Sequence, residues 1–121
     1  MTENRKSKQY DLEKRTFEFA KNVALYTRKL PQNVSNFEYG KQVIDSSGSV
    51  GANYIEANEA LGKKDILMRI KICRKEAKES AYWLGLIVET NEENHEHEGR
   101  KLLGEAIELK KIFSSILVKS E

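Results

Sequence analysis

The chain has 121 residues, 39% of them apolar and 33% charged, with one proline and one cysteine. That length suits a single domain with one core, the lone cysteine excludes an internal disulfide, and no apolar run approaches the ~20 residues of a membrane span. The formal charge of +2 excludes neither acidic nor basic partners, so the placement of charge carries more than its sum. The first ten residues, MTENRKSKQY, lack the apolar centre of a signal peptide, and the expected location is the cytoplasm.

Residues 1–9 are polar and basic and read as a flexible tail ahead of a bundle at 10–118, with helices at about 11–30, 36–61, 65–90 and 98–118. In the first helix Leu12, Thr16, Phe19, Val23, Tyr26 and Leu30 recur in steps of four and three, the spacing that lines up one helical face. Pro31 then disfavours a helical Leu30 and ends the element. The second helix is expected to open on a capping box, Ser35 to Glu38, in which each side chain satisfies a free N–H of the first turn. Its main apolar row reads Phe37, Gly40, Ile44, Ser47, Gly51, Tyr54, Asn58 and Leu61, with Val43, Val50 and Ala57 alongside, and Gly62 is the expected stop. For the third helix Asp65 is the expected N-cap, and Ile66, Ile70, Cys73, Ala77, Ala81, Leu84 and Val88 the stripe, widened by Met68, Ile72 and Trp83. A polar connection from Thr90 to Glu98 leads to a fourth helix built on Leu102, Ala106, Leu109, Phe113 and Ile116, with Leu103, Ile107, Ile112 and Leu117 beside them. The expected fold is all-α: an antiparallel, up-down-up-down four-helix bundle.

The stretch Ser46–Ala52 consists almost entirely of small side chains, and it admits two readings. A phosphate-binding loop would need a lysine after its second glycine, so that backbone N–H groups and an ammonium converge on phosphate; Ala52 and Asn53 stand there instead. The helical period also crosses the stretch without a phase jump. Each interior glycine costs roughly 1 kcal/mol relative to alanine, which close approach of another backbone can offset. Ser47, Gly48, Gly51, Ala52, Asn53 and Glu56 are therefore packing or assembly candidates, with Arg74, Glu76, Glu79, Tyr82 and Trp83 on the third helix. Asn53, Glu56, Asn58 and Glu59 with Arg74, Glu76 and Glu79 form either a solvated face or a buried ion-pair network that fixes helix register. Gly51→Leu is expected to disturb packing or assembly.

Catalytic constellations do not emerge. Glu92-x-x-His95 has the spacing of one half of a di-metal motif but falls in the polar connection beside His97. Cys73 lies on an apolar stripe, where a thiol is ordinarily inert, and Ser46, Ser47 and Ser49 have no base near in sequence. No cofactor, metal or enzymatic activity is expected. Positive charge gathers on two segments: eight Lys/Arg against four Asp/Glu in residues 1–31 and seven against four in 63–91, whereas 32–62 holds one against four. If the first and third helices shared a surface, Arg15, Lys21, Arg28, Lys29, Lys63, Lys64, Arg69, Lys71, Lys75 and Lys78 would form a face for RNA or DNA phosphates.

Several blocks carry a family resemblance: Tyr10–Ala20, Leu30-Pro31, Gly40–Ile44, Ser49-Val-Gly-Ala-Asn53 with Glu56-Ala57, Lys63-Lys-Asp65, and Lys75–Glu79 with Tyr82-Trp-Leu84. Together they resemble the four-helix-bundle proteins of the 23S rRNA intervening-sequence family over residues 10–118, which are similar in fold to the basic accessory protein of diversity-generating retroelements. The resemblance implies a non-enzymatic bundle that assembles as a ring, a pentamer, and it makes RNA or DNA a candidate partner; the mild charge of this chain is a departure. The alternative is a structural or adaptor protein whose ring docks another protein.

Overall fold

Helix breakers set the punctuation of this chain. The computed structural model describes residues 2–120, with side chains from residue 11 onward. It contains α1 (Thr2–Lys29), α2 (Val34–Glu59), α3 (Lys63–Thr90) and α4 (Glu96–Lys119), with a single 3-10 turn, Glu93–His95, leading into α4. Among the described residues there is no strand. α1 stops where Pro31 requires, its last turn closed by the Leu30 N–H donating to the Thr27 carbonyl at 3.3 Å. The backbone of α1 is helical ahead of Asp11; the mobility expected of residues 1–9 lies outside the described side chains.

Contacts across the bundle fix its direction. Thr16 of α1 lies beside Gly51 of α2, and Thr27 beside Gly40, so the two helices run in opposite directions. Ser46 meets Ser80, and Asn53 meets Arg69, which makes α2 and α3 antiparallel as well. Arg15 reaches Glu105 and Lys29 reaches Glu98, pairing α1 with α4 in the same sense. α1 and α3 each pack against α2 and α4 and so occupy opposite corners of the bundle.

The core follows the helical period. Thr16, Phe19, Val23 and Tyr26 of α1 and Leu30 just beyond it are all buried, as are Ile70, Cys73, Ala77 and Leu84 of α3 and Leu102, Ala106, Leu109 and Phe113 of α4. Each large apolar side chain taken from water contributes about 1.5–3 kcal/mol before entropy is counted. Ser80 and Ile87, absent from the expected α3 stripe, are fully buried, whereas Met68, expected to widen it, is exposed. Within this core the Ser46 and Ser80 hydroxyls bond each other at 2.8 Å, and Ser80 also donates to the Glu76 carbonyl. Both serines thereby keep partners in an apolar layer.

α2 departs from expectation in its facing. The buried row is Val43, Val50 and Ala57 with Ser46, Ser47 and Tyr54, while Phe37, Ile44 and Leu61 point to solvent. Val43, Val50 and Ala57 share the interior with Gly40, Ser47 and Tyr54 of the expected main row, so the core side of α2 lies between the two rows. The caps differ too. Asn33, not Ser35, caps α2: its side-chain oxygen accepts from the Asn36 N–H at 2.8 Å, and Ser35 sits inside the first turn donating to Asn33. Gly62 does not stop α2, which ends at Glu59 with Ala60 as C-cap; it is instead the extended N-cap residue of α3, and Asp65 stands within that helix's first turn. The carboxylate there still favours the positive end of the helix dipole.

Candidate nucleic-acid interface and assembly face

The ten basic residues singled out in the sequence do not form one surface. Because α1 and α3 lie on opposite corners, the shared basic face is corrected to two separate rows. On α1, Arg15 is engaged by Glu105 in a two-point pair at 2.7 and 2.8 Å across the α1–α4 groove, which raises its already high pKa through the carboxylate hydrogen bond. Lys29 bonds Glu98 at 3.1 Å and Lys21 pairs with Glu18 at 2.8 Å, leaving Arg28 without an acidic partner among the described residues. On α3, Arg69 donates to the Asn53 side-chain oxygen at 3.0 Å. Lys63 and Lys64 stand in the exposed first turn of α3.

Lys64, Lys71, Lys75 and Lys78 fall at spacings of seven, four and three and share the outer face of α3, all of them exposed. Among the described residues the one acidic contact on this row is Glu79, 4.0 Å from Lys75. An exposed pair of that length contributes little. The row runs into an aromatic cluster in which Tyr82 packs edge-on against Trp83, ring centres 5.1 Å apart, and Trp83 lies 6.0 Å from Tyr39. Tyr82 is 62% exposed, and Tyr39 is the member of this cluster that sequence reasoning missed, because it lies off both apolar rows of α2.

The small-residue stretch is helical throughout and faces three ways. Ser46 and Ser47 are buried; Gly51 lies against α1, where an added Cβ would stand 3.1 Å from the Thr16 hydroxyl oxygen; Gly48 and Ala52 face solvent. Gly51 thus serves packing inside one copy, and only Gly48 and Ala52 are available outside it. The polar set gathers no buried ion pair among the described residues. Instead Asn53 bridges the Ser49 carbonyl and Arg69, Asn58 donates to Glu13 at 2.8 Å, Glu56 and Glu59 are exposed, and Arg74 is half-buried.

Glu76 is the ionisable group of this set with a shifted titration. Burial, and then the hydrogen bond and charge of Glu79, push its pKa upward, against smaller opposing effects of Lys75 and Ser49. The folded chain therefore holds this proton more tightly than the unfolded chain. The contribution of Glu76 to stability is greatest below its unfolded pKa and falls as pH rises through the folded value. Glu76→Gln is expected to leave stability unchanged in acid, raise it at neutral pH, and flatten the intervening slope, as read from urea midpoints between pH 4 and 7.

The candidate nucleophile and metal ligands of the sequence lie apart from one another. Cys73 donates to the Val50 carbonyl at 3.4 Å, and burial pushes its thiol up to about 12, far from a thiolate at neutral pH. His95 lies in the 3-10 turn, where its carbonyl accepts from the Tyr26 hydroxyl at 2.9 Å. Among the described residues no cluster of His, Cys, Asp or Glu has the geometry to hold a metal ion. An open groove of about 670 Å³ lies between α1 and α4, lined by Lys14, Glu18, Asn22, Lys101 and the Arg15–Glu105 pair. Its charges alternate in sign and favour no single ligand. No described helix is long and apolar enough to cross a membrane.

Comparison with known proteins identifies the lineage. The model of the family described as 23S rRNA-intervening sequence protein matches residues 8–115. The chain belongs to that family. A crystal structure at 1.70 Å of a protein of unknown function from the S23 ribosomal protein family of Bacteroides thetaiotaomicron is similar to this intervening-sequence protein, with 29% identity and a TM-score of 0.71. The likeness covers 87% of this chain and 96% of that one. No functionally curated protein matches the chain.

Proposed function

We propose that this family member is a cytoplasmic, non-enzymatic bundle that self-assembles into a ring, a pentamer, and binds RNA or DNA along its phosphate backbone through α3. The observation that carries the binding reading is the row Lys64, Lys71, Lys75 and Lys78. At about 1.5 Å per residue these fourteen steps extend over roughly 21 Å, enough to follow several phosphates. Such a row reads charge and spacing, without base-specific contacts. The second reading, an adaptor that docks another protein, is favoured by the exposed Tyr82 beside Trp83.

Salt separates the two. Binding to structured RNA through four lysines should fall with added salt, log K against log salt sloping by about −3, and each of Lys71→Gln and Lys75→Gln should reduce that slope by about 1. Binding that ignores salt, or survives both substitutions unchanged, would overturn the phosphate reading in favour of the adaptor.

A further inference from the structure

Self-assembly, on which this inference rests, requires a face, and we infer that the α1–α2 face of each copy packs against a second copy of this chain in the same orientation, the basic edge of one meeting the acidic edge of the other.

The middle of that face is apolar. Phe37, Ile44 and Ile55 of α2 are 69%, 46% and 50% exposed and share one side of the helix at seven-, four- and seven-residue steps through Gly48. Phe17, 67% exposed, stands across the groove on the α2 side of α1. Eighteen residues separate Phe37 from Ile55, so the strip is about 27 Å long.

Its edges carry opposite charge. Lys14, Lys21 and Arg28 lie along α1 beyond Phe17 at seven-residue steps, and Glu38, Asp45 and Glu56 lie along α2 beyond Gly48, with one cation, Lys41, among them; all seven are exposed. Lys21 alone has an ionic partner among the described residues, Glu18 at 2.8 Å, an exposed pair that is readily exchanged. The two rows are also in step. Thr16 is level with Gly51 and Thr27 with Gly40, which places Arg28 level with Glu38, Lys21 level with Asp45, and Lys14 within a turn of Glu56. A rotation about any axis parallel to the helices keeps those levels, so wherever the α1 edge of one copy meets the α2 edge of another, each cation comes opposite a carboxylate.

This arrangement also decides the occupant. A polyanion would be repelled by the acidic edge and a polycation by the basic edge, whereas the chain itself presents both at the matching spacing. The apolar strip supplies association and the flanking charges set the register.

Gly48 provides the test. A Cβ there meets nothing within 4 Å inside one copy, so a larger side chain fits the isolated chain but blocks close approach of a second. Gly48→Leu and Ile55→Glu are expected to reduce the particle mass, by sedimentation or light scattering, toward the 13.9 kDa of a single chain, with helical circular dichroism retained. Lys21→Glu and Asp45→Lys should each weaken association severalfold, and the two together should restore it. Wild-type assembly that survives Gly48→Leu and Ile55→Glu would overturn the face and leave self-assembly standing. Failure of the charge exchange to restore what each reversal lost would overturn the register. A wild-type chain that remains monomeric at micromolar concentration would overturn self-assembly itself, and this inference with it.

Discussion

Gly99→Ala is expected to lower the stability of the bundle by about 1–3 kcal/mol, although alanine is the better helix former by about 1 kcal/mol. Gly99 is buried in the first turns of α4, and a Cβ at that position would fall on the Tyr26 hydroxyl and stand 2.7 Å from Val88 Cγ2. Tyr26 cannot swing aside at small cost. Its ring is fully buried and its hydroxyl donates to the His95 carbonyl at 2.9 Å. Displacing it forfeits about 1 kcal/mol of hydrogen bonding and strains a close-packed corner where α1, α3 and α4 meet. The melting temperature should drop about 4 °C for each kcal/mol in a chain of this size. Gly104→Ala on the same helix supplies the contrast. A Cβ there meets nothing within 4 Å, so the substitution should raise stability by about 0.5–1 kcal/mol. If both substitutions stabilise equally, the Tyr26 contact imposes no steric demand on Gly99.

The sequence made the bundle legible through period and punctuation. α1, α3 and α4 each carry one dominant apolar stripe, and Pro31 ends α1 at the expected place. On α2 the period is legible but its centre is not: Gly40, Ser47 and Tyr54 of the expected row are buried with Val43, Val50 and Ala57, whereas Phe37 and Ile44 of the same row face solvent. The approach of α1 at Gly40 and Gly51 places the core side of the helix, and that is tertiary information. The caps failed for a related reason. Asn33 and Ser35 are both good caps, and the structure chose Asn33, whose side chain holds the Asn36 N–H where Asn36 turns toward Asn91.

Residues of the candidate interface were legible as a list and not as a surface. Ten cations concentrate on α1 and α3, but whether those helices adjoin depends on chain order in the bundle. An up-down-up-down arrangement places the first and third helices on a diagonal. The same topology exposes what charge counting by segment passed over. A basic α1 next to an acidic α2 looks like compensation in a sum, yet on adjacent helices it forms an edge of each sign around an apolar strip. The Phe37 and Ile44 side chains, which the helical period alone places with the core, lie in that strip. The facing of α2 and the candidate assembly face therefore concern the same residues.

Removing either partner of the Asn36–Asn91 pair is expected to cost about 1–3 kcal/mol, and removing both less than the sum by at least 0.5 kcal/mol. The two side-chain amides bond reciprocally: Asn36 Nδ2 donates to Asn91 Oδ1 at 2.9 Å, and Asn91 Nδ2 returns the bond to Asn36 Oδ1 at 2.8 Å. Backbone carbonyls fix which way each amide points. Asn36 also donates to the Pro31 carbonyl and Asn91 to the Ile87 carbonyl, both at 2.8 Å, and a carbonyl can only accept. Four residues that arrive from the α1–α2 connection, the start of α2 and the end of α3 are thereby held together. Asn36 is only 7% exposed, so water does not replace a lost partner without rearrangement. Charge distinguishes the two sites further. Asn36→Asp places a carboxylate in the first turn of α2, where the helix dipole returns about 0.3–1 kcal/mol of the loss. Asn91→Asp places one at the C-terminus of α3, where the dipole is adverse; each substitution also removes one donor to a backbone carbonyl, that of Pro31 or of Ile87. Asn91→Asp should therefore be the more damaging by about 1 kcal/mol at pH 7, the dipole difference, read from urea midpoints at constant slope. The gap should narrow as the pH falls below 4 and both carboxylates gain protons. An equal loss at both sites would mean that the pair acts through packing alone.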